Sequence, residues 1–205
     1  MKIILDIETN SKFDKIWCTV TRDTDTDEVI VWKEAKDLQK YLDACDLIIM
    51  HNGISFDIPV LKKIWNVTMN PNHVYDTLVI ARLLNPSLDG GHSLKAWGQR
   101  LGFPKHEFND FDSGLTDTML EYCIQDTNVT KQLYNYLVKE LTNQKFDERS
   151  VKLEHEVQWI ICQQERNGFK LDERKATVLL SELTSKLAAI EVEMQSIFPA
   201  KTIER

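Results

Sequence analysis

The sequence predicts an α/β fold: a mixed β-sheet flanked by helices, followed by a C-terminal helical hairpin. Three observations lead there. Short β-branched runs alternate with helical patterns over the first two thirds of the chain, polar turn segments separate them, and a long apolar helical repeat takes over after about residue 148. With 205 residues, the chain has room for one ordinary domain and an appendage.

Residues 2–8, KIILDIE, form an apolar run suited to a buried strand, and IWCTVT and EVIVW read as two more strands joined by the polar TRDTDTDE. EAKDLQKYLDA carries Leu38, Tyr41 and Leu42 at helical spacing, and DLIIMHN is a further buried-type strand. Helices are expected from Ile58 to Trp65 and from Asp76 to Leu84, then a loop at NPSLDGGH and a helix SLKAWGQRLG closed by Gly102. A longer helix is expected from Thr116 to Leu141. The stretch from Val151 to Asn167 places Leu153, Val157, Ile160 and Ile161 on one stripe, with Gly168 as the stop. From Asp172 onward, Leu180, Leu183, Leu187, Ile190, Met194 and Ile197 follow alternating spacings of three and four, a helix with one apolar seam. The expected domains are therefore 1–148 and 149–205.

Composition narrows the function classes. Hydrophobic residues at 42% and charged residues at 28% suit a folded globular chain rather than a disordered one. No run approaches the roughly 20 apolar residues of a membrane span, and MKIILDIETN turns acidic where a signal peptide stays apolar, so a cytoplasmic protein with no membrane partner is expected. Cys18, Cys45, Cys123 and Cys162 lack Cys-x-x-Cys spacing, which argues for reduced thiols rather than a zinc site. The net charge of −7 speaks against nucleic-acid binding by a basic surface alone. A nucleic-acid partner would need bound cations.

Four acids interrupt apolar elements. Asp6 and Glu8, two apart on the first strand, project from one face, Asp57 stands at a strand-to-helix junction, and Asp126 follows Tyr122 by one helical turn. Converging carboxylates repel one another unless cations hold them, and paired divalent ions on such a cluster serve phosphodiester hydrolysis. Each acid also has an ordinary reading: Asp-x-Glu recurs by chance, Asp57 could cap a helix, and Tyr122 with Asp126 could be a surface pair. The order D-x-E, N-x-x-x-F-D, Y-x-x-x-D along the chain is what favours a site. Thr9, Asn10, Asn52 and Phe56 stand beside these motifs as candidate contacts to a terminal nucleotide, against turn chemistry for the first three and core packing for Phe56. Phe103, Phe108 and Phe111 could stack bases, and Lys95, Arg100 and Lys105 with His106 could meet phosphates. His51, His73, His92 and His155 show no metal-ligand spacing and read as structural or exposed.

In DIET, HNGISFD and YCIQD the chain resembles the DEDD exonucleases. It is similar to their tyrosine subclass, since Glu121 stands where the histidine subclass needs His. YDTLVIARLLNP and HSLKAWGQRLG resemble the proofreading domain of podophage family A DNA polymerases, and EHEVQWIICQQERNGFKLD is similar to the stretch leading into the polymerase thumb. The resemblance implies a ribonuclease-H-like domain over 1–148 that removes nucleoside monophosphates from single-stranded DNA 3′ ends. It implies two ions, Mg²⁺ or Mn²⁺: Asp6, Glu8 and Asp126 at one, Asp6 bridging to the other, Asp57 at the second, and the Tyr122 hydroxyl orienting the attacking water. It further implies that 149–205 opens a thumb whose palm and fingers are missing after Arg205, so no polymerase activity is expected from this chain. The partner is then the remaining polymerase portion or a second copy. A 3′ exoribonuclease, or a non-catalytic single-strand-binding or docking module, stands as the alternative.

Overall fold

The computed structural model describes residues 1–104 and 107–198. Five strands form one sheet in the order β3-β2-β1-β4-β5: β1 (Lys2–Thr9), β2 (Ile16–Asp23), β3 (Val29–Trp32), β4 (Leu47–Met50) and β5 (Val74–Asp76). β1 is central, antiparallel to β2 and parallel to β4, so the sheet is mixed as expected. The helices are α1 (Leu38–Asp43), α2 (Asp57–Trp65), α3 (Thr77–Leu84), α4 (Leu94–Leu101), α5 (Asp117–Asn143), α6 (Glu148–Asn167) and α7 (Glu173–Ile197).

Alternation along β1 divides the core. Ile3, Leu5 and Ile7 pack with Leu38 and Leu42 of α1, Ile58 and Leu61 of α2, and Ile48 and Met50 of β4. On the other face Cys18 and Val20 of β2 meet Cys123 of α5, and α5 continues through Val129, Leu133 and Leu137 against Ile80 of α3 and Trp97 of α4. Caps fix the helix starts: Thr116 accepts from the Met119 amide at 3.1 Å, Ser93 from Ala96 at 3.2 Å and Asp172 from Lys175 at 3.1 Å.

Three details differ from expectation. α1 starts at Leu38 because Asp37 adopts a left-handed conformation, φ 64°. β5 is a three-residue strand running straight into α3, too short to show a period in sequence. In α6 the apolar stripe is not the packing face: Leu153 and Ile160 are each 56% exposed, whereas His155 and Cys162 are buried and Trp159 packs on the β1–α2 core.

The chain divides into two compact units, Met1–Glu165 and Arg166–Arg205. The expected division near residue 148 thus falls inside the first unit, which includes α6 as far as Glu165 and buries His155 and Cys162 of it. The second unit contains α7, and no residue of α7 is buried. No helix among the described residues is long and apolar enough to cross a membrane.

Candidate active site at the end of β1

β1 carries its two acids on the face that α5 covers. In the β1–β2 register Asp6 lies opposite Val20 and Glu8 opposite Cys18, which puts both carboxylates on the side of Cys123. Asp6, Glu8 and Cys123 each offer one ligand atom, and the three lie within 4.8 Å of one another. The Cys123 thiol donates to Asp6 Oδ2 at 3.5 Å. Burial pushes that thiol well above its ordinary range, and so does its hydrogen bond with Cys18, so it stands beside the acids as a donor.

Asp57 is the first residue of α2, with Phe56 at the cap position, so capping is not its role. It is buried, and the charge of Asp6 reaches it. Burial pushes the Asp57 carboxyl well above the usual carboxylate range, and the charges of Asp6 and then Asp76 push it further. Asp126 is buried on α5, three residues after Cys123 and four after Tyr122. These spacings share one helical stripe, so the turn that sets Cys123 against Asp6 also carries Tyr122 and Asp126.

The turn that delivers Asp57 is held by Asp76, an acid outside the three sequence motifs. Asp76 accepts from the Asn52 and Leu78 amides, each at 2.9 Å, and from the Ile54 amide at 3.1 Å. Burial raises its pKa against these three donations. Gly53 is required beside it, because a Cβ there would lie 2.4 Å from Met50 Cβ. A polar residue breaking the apolar VYDTLV was a readable sign of Asp76; Cys123 gave none, since a helical cysteine reads as core.

The remaining candidates divide. Both polar ends of the Asn10 side chain serve the 10–15 turn: Nδ2 donates to Asp14 at 2.6 Å and Oδ1 accepts the Asp14 and Lys15 amides at 3.1 Å. Thr9 is buried at a register shift in β1, and Asn52 adopts φ 65°. Phe56 packs on the core and meets Phe13 edge-on at 5.2 Å. Phe108 and Phe111 lie against the Tyr122 ring at 5.6 and 6.2 Å, while Phe103 is 38% exposed. Lys95 pairs with Glu107 at 2.8 Å, and Arg100 bonds the Asp89 carbonyl and covers Trp97. Lys105 and His106 lie outside the described residues. His155 is structural: Nδ1 donates to the Val151 carbonyl and Nε2 accepts the Asp76 amide, both at 2.8 Å.

Residues 17–142 match the 3′-5′ exonuclease family. The chain belongs to that family. The match starts beyond β1, so the placement of Asp6 and Glu8 stands on the geometry above. The DNA-directed DNA polymerase of Escherichia phage T7 is 29% identical over 94% of this chain, and that of Enterobacteria phage T3 is 28% identical over the same share. In each case the aligned part is 36% of the relative, so the exonuclease spans about a third of those proteins. Among solved structures, Brucella melitensis NrnC with bound Mg²⁺ is similar in fold, with a TM-score of 0.64, 21% identity, and coverage of 82% of this chain and 86% of that one.

Proposed function

We propose that the chain removes nucleoside monophosphates from the 3′ ends of single-stranded DNA, as the proofreading part of a phage polymerase. The observation that carries this reading is the clustering of Asp6 and Glu8 at the end of β1, with the buried Asp57 carboxyl under the influence of the Asp6 charge, in a chain of the 3′-5′ exonuclease family. The phage relatives supply DNA as the substrate class.

Asp6, Glu8, Asp57 and Asp126 are assigned as ligands of two divalent ions, which when bound activate water and neutralise charge at the leaving oxygen. An oxygen-rich set suits Mg²⁺ or Mn²⁺. The raised Asp57 carboxyl agrees with this, because burial first and the charge of Asp6 second disfavour its ionised form, and a bound cation would offset both. Tyr122, steadied by Phe108 and Phe111, holds the attacking water through its hydroxyl. Thr9 and Asn52 border the terminal nucleotide. The apolar seam of α7 is assigned to the remaining polymerase portion or a second copy.

The test uses one labelled sequence as single-stranded DNA, as single-stranded RNA and as blunt DNA duplex, with Mg²⁺ or with EDTA. Mononucleotide release from single-stranded DNA with Mg²⁺ alone, slower from duplex, is expected. Preference for RNA would transfer the assignment to an exoribonuclease, and inertness on all three would leave a binding module.

A further inference from the structure

We propose that Arg22 is a positioning residue for the α5 turn that carries Tyr122, Cys123 and Asp126; the role rests on the nuclease reading above. Arg22 is on β2, two residues beyond Val20 and four beyond Cys18, so it shares the sheet face that α5 covers. Among the described residues it is the only buried Lys or Arg.

Its guanidinium divides its donors among three acceptors. Nε donates to Thr127 Oγ1 at 3.1 Å, Nη2 to the Ile124 carbonyl at 3.4 Å and Nη1 to Asp27 Oδ1 at 3.0 Å. Lys131 Nζ reaches the same Asp27 oxygen at 3.0 Å. Thr127 Oγ1 in turn donates to the Ile124 carbonyl at 2.7 Å. Ile124, Thr127 and Lys131 lie at i, i+3 and i+7, one stripe of α5, and this stripe is gripped from the β2–β3 hairpin. Two of its members flank Asp126.

A stripe held at three levels fixes the rotation of a helix about its axis. A side-chain tip roughly 5–6 Å from the axis moves by about 1 Å when the helix turns by about 10°, and a catalytic site tolerates only about 0.5 Å. The Cys123 thiol is a weak donor, and the packing of this residue against Val20 is apolar and has no preferred direction, so both are soft toward such a rotation. The planar fork of an arginine is directional, and the single ammonium of a lysine cannot serve all three acceptors.

The test compares parent, Arg22→Met, Arg22→Lys, Thr127→Val and Arg22→Met with Thr127→Val in the full chain. Two midpoints are read for each: the Mg²⁺ concentration giving half the metal-induced rise in melting temperature, and that giving half-maximal cleavage of labelled single-stranded DNA. Arg22→Met and Thr127→Val should each raise both midpoints at least threefold. Arg22→Lys should restore little, and the double variant should be no worse than the worse single one, because one interaction is lost in all of them. Should Arg22→Met not fold, Thr127→Val decides alone, since it keeps the shape and removes the acceptor. Variants that melt earlier in EDTA yet keep both midpoints within twofold of the parent would overturn the proposal and leave Arg22 as a fold anchor. A parent with no Mg²⁺ response in either readout would overturn the nuclease reading, and this proposal with it.

Discussion

Crowding of carboxylates at the end of β1 makes Asp57 a probe of the site. Its folded-state pKa is raised above the unfolded value of roughly 4 by burial and by Asp6. Between those two values the folded chain holds a proton that the unfolded chain has lost. The stabilisation is therefore full below about pH 4 and lost as pH rises through the folded value. Urea unfolding of the metal-free protein should show stability falling over that window, and Asp57→Asn or added Mg²⁺ should flatten the slope. Tyr122→Phe keeps the ring contacts with Phe108 and Phe111, so melting should not move, while kcat should fall at least about tenfold, ~1.4 kcal/mol of transition-state stabilisation, with little change in KM. Equal kcat in single-turnover assays would assign Tyr122 to packing. The shared face of Asp6 and Glu8 was legible because strand side chains alternate with a strict period of two. Their approach to Cys123 was not, since it depends on where α5 docks.

Among the elements, α6 shows how a sequence pattern can mislead. Leu153, Val157, Ile160 and Ile161 make the stronger apolar stripe, yet His155, Trp159 and Cys162, at i, i+4 and i+7, make the buried one. Hydropathy ranks histidine low, but this imidazole is satisfied on both nitrogens, and a satisfied polar group is cheap to bury. His155→Ala would leave the Asp76 amide buried without its acceptor and should cost about 1–3 kcal/mol in denaturant unfolding. A fragment ending at Arg149 would lose the whole stripe, so it should melt well below one ending at Asn167, although every candidate ligand precedes both ends. Matching melting curves for the two fragments would show that α6 is dispensable. The order of strands and helices was otherwise legible from periodicity and caps. β5 escaped because three residues show no period.

At the scale of the molecule, net charge and the α7 seam set the terms of association. With a formal charge of −7 and its cations dispersed, the protein should bind single-stranded DNA with a shallow dependence on salt. Leu183, Leu187, Ile190 and Met194 are each more than half exposed along α7. Covering such side chains gains roughly 1.5–3 kcal/mol apiece, so sedimentation should show concentration-dependent self-association. Leu187→Glu with Ile190→Glu should abolish it, and a strict monomer at high concentration would leave the polymerase portion as the partner. The central claim is the direction and metal dependence of cleavage, and end-labelling reads both at once. With Mg²⁺, a single strand labelled at its 3′ end should lose the label at once as a mononucleotide, while the 5′-labelled strand shortens stepwise; EDTA, or Asp6→Ala with Glu8→Ala, should stop both. Release of the 5′ label first, or undiminished cleavage by the double variant, would contradict the account.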